Sequence, residues 1–204
     1  METYLFETPV SCLIFLITIL ISICGFNNIP FNGKLMLHPY SVAKGQKLYQ
    51  ILSSGLVHQD WAHLLFNMLT FYFFAFNLER IIGHWQFGIV YIGSLILCDI
   101  PSIYKYKNNF MYHSLGASGA VCGILFSYIL FFPFTKLVIF PIPIPIPAVL
   151  YGALFLLYSS YLAKKQNDNI NHDAHFYGAL SGIIITALLV PSALIDFFDA
   201  LIGI

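Results

Sequence analysis

The chain has 204 residues, of which 59% are hydrophobic and only 9% are charged, and its mean hydropathy is +0.81. A soluble domain carries about a quarter charged residues, so this composition excludes a soluble globule of this size and predicts an integral membrane protein. Nine basic residues balance nine acidic ones, which excludes the basic surface that nucleic-acid binding requires.

Six apolar segments follow one another along the chain, and the loops between them hold nearly all of the charge. A transmembrane helix needs about 20 apolar residues, so we predict an all-α, polytopic fold in which one membrane domain covers residues 1–204. No basic region precedes the first segment, which is therefore expected to be retained as a span. The predicted spans are residues 10–25, 61–78 (ending before Glu79 and Arg80), 86–100 (ending before Pro101), 118–132, which is short, 147–163 and 174–190.

Two connectors are unlike flexible tethers. Residues 26–60 are rich in apolar and aromatic side chains, which predicts an ordered first loop that is partly embedded in the membrane. Residues 140–147 alternate proline with other apolar residues, mostly isoleucine. Proline lacks a backbone donor and has a fixed φ, so this stretch is predicted to be extended and polyproline-like.

Two candidate catalytic groups lie where a polar loop enters an apolar segment. Ser118 opens the fourth predicted span, and His175 lies at the entry of the sixth. One return through the bilayer separates them, so both lie on the same side of the membrane. The second span begins on that side too, and it carries His63 and Asn67, which share one helix face because they are four residues apart. Nucleophilic and ionisable groups at membrane depth are functional candidates.

Glycine pairs predict how the fourth and sixth spans pack. Gly119 and Gly123 are four residues apart on the fourth span, and Gly178 and Gly182 are four apart on the sixth. Small residues at this spacing allow two membrane helices to approach closely. The pairs begin one and three residues after the candidate serine and histidine, so close packing here is predicted to bring hydroxyl and imidazole together.

The residue types favour nucleophilic catalysis. A serine hydroxyl becomes a strong nucleophile when a neighbouring neutral histidine removes its proton. The start of a helix offers unpaired backbone N–H groups, so the Ser118 N–H and the side chains of His63 and Asn67 are predicted to hold a developing oxyanion. Gly116 supports this loop, because glycine tolerates strained backbone and lets a substrate approach closely.

These residues resemble the rhomboid family of intramembrane serine proteases over residues 44–190. Four pieces match in order: His63 with Asn67, Glu79 with Arg80, Gly116-x-Ser118-Gly119, and Ala174-His175 with Gly178 and Gly182. The resemblance implies a six-helix bundle with a catalytic Ser118–His175 dyad in a water-accessible cavity. It also implies an oxyanion hole of His63, Asn67 and the Ser118 N–H. The implied reaction is hydrolysis of peptide bonds in or near the transmembrane helices of membrane-protein substrates through an acyl-enzyme, without a cofactor or metal.

Two positions depart from the family pattern. Many rhomboids carry Trp-Arg in the first loop, where this chain has Tyr49 and Gln50, and this difference bears on the anchoring of that loop. Many also carry a tyrosine four residues after the serine, stacked on the histidine, and here that position is Cys122. Another side chain is then needed to orient His175. Asp173 is too close in sequence to lie behind that imidazole, so we expect a dyad and a solvated Asp173.

Three other functions are open on the residues alone. A rhomboid-like binder or chaperone would recognise membrane helices without cutting them, although the intact serine and histidine argue against it. A transporter would place polar groups across the bilayer, whereas here they gather at one depth. An intramembrane metalloprotease would need the His-Glu-x-x-His signature of a zinc site, which is absent. Its conceivable ligands are His58, His63, His172, Asp173 and His175.

The basic residues bear on membrane orientation. Arg80 and Lys136 lie on the side opposite Ser118, and all the others lie on the same side: Lys34, Lys44, Lys47, Lys105, Lys107, Lys164 and Lys165. Basic loops usually stay in the cytoplasm, whereas the catalytic site of rhomboids generally faces away from it. Following the family, we expect a bacterial inner-membrane protein whose active site faces away from the cytoplasm.

Overall fold

Helices make up most of the described chain. The computed structural model describes residues 2–139, 142–165 and 170–203. These residues confirm the prediction of a mostly helical fold, and they also contain one short antiparallel β-hairpin. In chain order the elements are α1 (Glu2–Glu7), α2 (Pro9–Asn27), α3 (Ile29–Leu35), α4 (Pro39–Val42), α5 (Gln50–Ser53), a 3-10 turn (Ser54–Leu56), α6 (Trp61–Ile82), α7 (His84–Tyr106), α8 (Ser118–Phe131), β1 (Lys136–Ile139), β2 (Ile142–Pro147), α9 (Ala148–Lys165), α10 (His172–Leu189) and α11 (Ser192–Ile202).

Three helices, α2, α6 and α7, are long and apolar enough to cross a membrane. Helices α10 and α11 meet the same criterion together, with a bend of 108° between them. Helix α8 is apolar but has only 14 residues, in keeping with the short fourth segment. The described residues therefore contain up to four candidate spans, and α8 and α9 occupy the fourth and fifth predicted segments.

Two predicted helix ends are wrong. Helix α6 continues past Glu79 to Ile82, and α7 continues through Pro101 to Tyr106. Proline removes one helical hydrogen bond, but the later part of α7 packs against other helices and stays helical. The carboxylate of Glu79 is compatible with a buried position in this helix because it accepts hydrogen bonds from the backbone of α2.

Glu79 is buried and fastens α2 to α6. Its carboxylate accepts the N–H groups of Val10 at 3.0 Å and Ser11 at 2.7 Å. These donors belong to the first turn of α2, which begins at Pro9 and has no side-chain cap of its own. His84 Nδ1 lies 2.7 Å from the same carboxylate. A carboxylate at a helix N-terminus satisfies unpaired donors and is favoured by the helix dipole.

We expect Glu79→Ala to lower the free energy of unfolding by about 3 kcal/mol, because it leaves two buried helix N–H groups without an acceptor. Glu7→Gln is the matched control, since the ion pair of Glu7 with Arg80 (2.9 Å) lies at the surface, where such pairs contribute little. Unfolding in detergent measures both variants. Equal losses would contradict the capping role of Glu79.

The first loop is ordered, as predicted, and Gln50 anchors it. The side-chain amide of Gln50 is buried, accepts the His38 N–H at 3.2 Å and donates to the Lys34 carbonyl at 3.0 Å. The Tyr49 hydroxyl donates to the same carbonyl at 3.2 Å. The two residues that depart from the rhomboid pattern therefore still hold the loop together.

The proline-rich connector is extended, as predicted, but it pairs with the segment before it. Strands β1 and β2 are antiparallel, with Leu137 opposite Ile146 and Val138 opposite Pro145. Successive N–H groups of a strand point to opposite sides. Proline at every second position puts all the missing donors on one side, which suits an edge strand. Phe140 and Pro141, also part of the predicted stretch, lie outside the described residues.

Candidate active site

Ser118 is the first residue of α8, and a glycine turn leads into it. Gly116 has a φ of +117°, which L side chains rarely adopt. A Cβ at Gly116 would also lie 2.7 Å from Cε1 of His63, so both conformation and space require glycine. Ala117 is the N-cap residue of α8, so Ser118 is not the capping residue.

His175 lies in the first turn of α10 and contacts Ser118. Asn171 caps this helix: its side chain accepts the Ala174 N–H at 3.1 Å, and its carbonyl accepts the His175 N–H at 3.2 Å. His175 Nε2 is 2.8 Å from Ser118 Oγ, a hydrogen-bonding distance. In this geometry an imidazole can take the proton of a serine hydroxyl.

Four glycines bring the backbones of α8 and α10 into contact. A Cβ added at Gly178 would collide with backbone atoms of Gly119, and one added at Gly182 would collide with those of Gly123. Backbone atoms cannot rotate away as a side chain does. The glycines therefore permit the helix separation at which the serine and the histidine meet.

A cavity of about 990 Å³ opens beside this pair. Its walls come from the first loop, α6, the segment before α8, and helices α8, α9 and α10. The volume is at the upper end of the range of ligand pockets, roughly 300–1,000 Å³, so there is room for a peptide segment. Ser118, His175, His63, Asn67 and Cys122 all line it.

His63 and Asn67 lie one helical turn apart on α6 and line the same cavity. Asp60 caps α6 by accepting the His63 N–H at 2.8 Å. The Asn67 side-chain amide donates to the His63 carbonyl at 3.1 Å, which fixes the orientation of that amide. The imidazole of His63 packs against Gly116. The side chains of the predicted oxyanion donors thus line the same cavity as Ser118.

His58 holds the segment that carries Ser118, whereas the sequence offers it only as a conceivable metal ligand. Its side chain is fully buried, and its Nε2 accepts the Ala117 N–H at 3.4 Å. Its Nδ1 lies 2.8 Å from Ser22 Oγ, which donates to the Leu56 carbonyl at 3.0 Å. An accepting Nε2 puts the proton on Nδ1, so the ring is neutral. A histidine in a loop gives no sequence signal for such a role.

Burial and the neighbouring His63 lower the pKa of His58 to about 3, against an opposing effect of Asp60. A histidine in an unfolded chain titrates near pH 6.5. Between these values the unfolded state binds a proton that the folded state excludes. Stability that is present above pH 6.5 is therefore lost as the pH falls towards 3.

We expect His58 alone to lower the free energy of unfolding by about 1.4 kcal/mol per pH unit between pH 6 and pH 4. His58→Gln is the comparison, because its amide offers both an acceptor and a donor but does not titrate. Unfolding in detergent across this range should show a steeper loss for the wild type by that slope. Parallel curves would contradict the buried, neutral state of His58.

Phe155 provides an aromatic neighbour for His175. Its ring, on α9, lies 6.2 Å from the imidazole with 30° between the planes, and Tyr151 lies 5.8 Å beyond it. Offset and tilted ring contacts at such distances are favourable. With Cys122 in the position of the family's tyrosine, the aromatic contact comes from α9 and not from α8. The position of α9 depends on tertiary packing, so the sequence could not identify Phe155.

Asp173 forms an ion pair, and the expectation that it is simply solvated is wrong. Its carboxylate lies 2.5 Å from Lys105 Nζ. Lys105 also donates to the Ala163 carbonyl at 3.3 Å. Asp173 therefore links the first turn of α10 to the last turn of α7, and the positive charge of Lys105 compensates its negative charge.

Three of the residues that the sequence offers as conceivable metal ligands have other partners in the structure. Within the described residues, no group of three or more His, Cys, Asp or Glu side chains is arranged to hold a metal ion. His58 bonds to Ala117, Asp173 to Lys105, and His175 to Ser118.

Comparison with known proteins decides the family. The family model of the Rhomboid domain matches residues 45–192, which is most of the chain. The chain belongs to the rhomboid family. This rhomboid is similar to the putative rhomboid protease YdcA of Bacillus subtilis (strain 168), with 32% identity over 149 residues that cover 73% of this chain and 70% of the relative.

Other relatives of this rhomboid come from a eukaryotic organelle and from another bacterium. Rhomboid protein 1, mitochondrial, of Saccharomyces cerevisiae is 27% identical over 191 residues, covering 89% of this chain and 54% of the relative. Rhomboid protease AarA of Providencia stuartii is 25% identical over 179 residues, covering 74% and 63%. This rhomboid thus spans about half the length of the yeast relative. The family and the apolar helices make it an integral membrane protein, and the family includes relatives that are named as proteases.

Proposed function

We propose that this rhomboid is an intramembrane serine endopeptidase that hydrolyses peptide bonds in or near transmembrane helices of membrane-protein substrates. The observation that carries the proposal is the 2.8 Å contact between Ser118 Oγ and His175 Nε2 on the wall of a large cavity. Ser118 is the nucleophile, and His175 is the general base and then the general acid. Neither a cofactor nor a metal takes part.

The reaction proceeds in two halves. As Ser118 Oγ forms a bond to the scissile carbonyl carbon, His175 Nε2 takes the hydroxyl proton. The protonated imidazole then gives that proton to the leaving amine as the C–N bond breaks, which leaves an acyl-enzyme. A water molecule repeats these steps, with His175 again as the base, and releases the acyl product from Ser118.

The oxyanion of each tetrahedral intermediate is held by the Ser118 N–H, His63 and Asn67. Their place in the lining of one cavity supports this assignment. Donors of this kind contribute about 2.7–4 kcal/mol each to transition-state stabilisation. Gly116 leaves room for the imidazole of His63 beside the turn that leads into Ser118, because an added Cβ would collide with that ring.

The proposed membrane arrangement has six spans, α2, α6, α7, α8, α9 and α10, in one domain over residues 1–204, with the first loop partly embedded. At 1.5 Å per residue, the 14 residues of α8 extend about 21 Å, which is less than the roughly 30 Å hydrocarbon core. Most of α8 is buried, so an end below the surface is sheltered from lipid. Ser118 then lies at membrane depth.

The test is cleavage of a single-span substrate by the purified protein in liposomes. We expect a defined cut that persists in a strong chelator, together with labelling of Ser118 by a fluorophosphonate. Loss of cleavage with the chelator would favour a metalloprotease. Binding of the substrate without any cut would favour a non-proteolytic binder or chaperone.

The orientation follows the family, with the active site facing away from the cytoplasm of a bacterial inner membrane. The lysines on the catalytic side favour the reverse. In intact cells, the proposed arrangement leaves a tag at either terminus protected from added protease. Digestion of both tags would show that the protein has the opposite orientation, with the same proposed chemistry.

A further inference from the structure

Helix α7 carries two buried polar side chains that the proposed reaction does not use. The carboxyl group of Asp99 is on a residue only 5% exposed, and Ser102 is fully buried. They are three residues apart, so they share one face of the helix. Polar groups inside a membrane helix are unfavourable unless they have partners, and they mark functional positions.

Ser102 contacts the cap of the helix that carries His175. Asn171 Nδ2 donates to Ser102 Oγ at 2.9 Å. The same amide accepts the Ala174 N–H through Oδ1, and the Asn171 carbonyl accepts the His175 N–H. Asn171 therefore caps the first turn of α10, and Ser102 of α7 holds Asn171 in place.

Helix α7 also contacts the segment that leads to Ser118. Tyr112, which lies between α7 and α8, stacks its ring on Tyr106 of α7, with 3.6 Å between ring centroids and 8° between ring planes.

Asp99 holds the glycine turn before Ser118 through Ser54. Ser54 Oγ donates to Asp99 Oδ2 at 3.4 Å, and the Ser54 carbonyl accepts the Gly116 N–H at 2.9 Å. Ser54 is itself buried. The turn that presents the nucleophile and the cap that presents the base are thus fastened to the same face of one helix.

We propose that Asp99 and Ser102 are positioning residues that set the distance between Ser118 and His175. This inference rests on the proposed dyad and deepens it. A displacement of about 1 Å in an active site can cost about 100-fold in rate. Two anchors on α7, one for each partner, keep the hydroxyl and the imidazole at hydrogen-bonding distance while a substrate enters the cavity.

Asn171→Ser separates positioning from helix capping. Serine at an N-cap keeps the bond to the Ala174 N–H, but it is too short to reach Ser102 as well. We expect nearly wild-type stability with kcat lowered about tenfold and KM changed less than about threefold. Ser102→Ala should have a similar effect, and the double variant should lose no more than either single one. Lys105→Met is the control, because it removes a partly exposed ion pair from the same helical turn and should keep kcat within about twofold.

The Asp99 arm is tested by shape-matched variants. Asp99→Asn keeps an oxygen that accepts from Ser54, whereas Asp99→Leu removes every acceptor. We expect Asp99→Leu to slow labelling of Ser118 by a fluorophosphonate about tenfold, and Asp99→Asn to stay within about threefold of the wild type.

Single-turnover cleavage in liposomes, the labelling rate of Ser118 and unfolding in detergent are measured on the same preparations. A wild type that neither cleaves nor labels would refute the proposed function. Suppose instead that the wild type cleaves, but Asn171→Ser keeps the wild-type kcat or loses it only in proportion to its unfolded fraction. That result would overturn the positioning role and leave the proposed function intact. Asn171→Ser retains the cap, so it decides the question even where Ser102→Ala fails to fold.

Discussion

Cleavage of a single-span substrate is expected to fall by about 10⁴-fold or more in Ser118→Ala, because the variant lacks the hydroxyl that lies 2.8 Å from His175 Nε2. His175→Ala should lose about as much, since a serine hydroxyl without its base is a poor nucleophile. The double variant should be no slower than either single one, because the two side chains act as a unit. Product formation per mole of folded enzyme is the measurement.

Ser192→Ala is the matched control for this loss. Ser192 is the first residue of α11, as Ser118 is of α8, but it is exposed and does not line the cavity. It should cleave at the wild-type rate. Equal cleavage by Ser118→Ala and Ser192→Ala would show that Ser118 is not the nucleophile.

The second large effect is expected at the contact between α8 and α10. Gly182→Ala should lower the free energy of unfolding by about 3 kcal/mol, because the new Cβ meets the backbone of Gly123 and the helices must separate. The same separation moves His175 away from Ser118, so cleavage by the remaining folded protein should fall about 100-fold. Unfolding in detergent and cleavage per folded molecule measure the two effects.

Gly88→Ala controls for the loss of a glycine from a helix. Gly88 lies inside α7, and an added Cβ would meet only Val10 Cγ1, at an ordinary contact distance of 3.9 Å. Alanine is the better helix former by about 1 kcal/mol, so this variant should be as stable as the wild type or more stable. A Gly182→Ala protein that behaves like Gly88→Ala would show that the glycine contact does not set the helix separation.

Much of the fold and the site is predictable from residues that are close in sequence. The length of each apolar segment, the spacing of the glycines and the side of the membrane on which each span begins are all local properties of the sequence. The entries of α6, α8 and α10 were expected at the polar-to-apolar boundaries, and the structure has helices beginning at Trp61, Ser118 and His172. The ordered first loop and the extended proline-rich connector were likewise predicted. Pairing of that connector with β1 was not, because alternating proline carries no signal for a partner strand.

What the sequence could not provide is the partner of a polar group from a distant helix. Glu79 looked like the charged end of a span, yet it caps α2, whose capped residues lie 68 and 69 positions away. The sequence predicts a solvated Asp173, yet its carboxylate forms an ion pair with Lys105 of α7. The contact of Phe155 with His175 depends on where α9 packs in the bundle. Each of these contacts depends on how helices pack, and no local periodicity encodes it.

The most direct test of the Ser118–His175 dyad is the site and stoichiometry of modification by a fluorophosphonate, followed by mass spectrometry and cleavage in parallel. We expect one adduct per molecule, on Ser118, with cleavage falling in proportion to the modified fraction and no adduct in His175→Ala. Undiminished cleavage by protein fully modified at Ser118 would contradict the account.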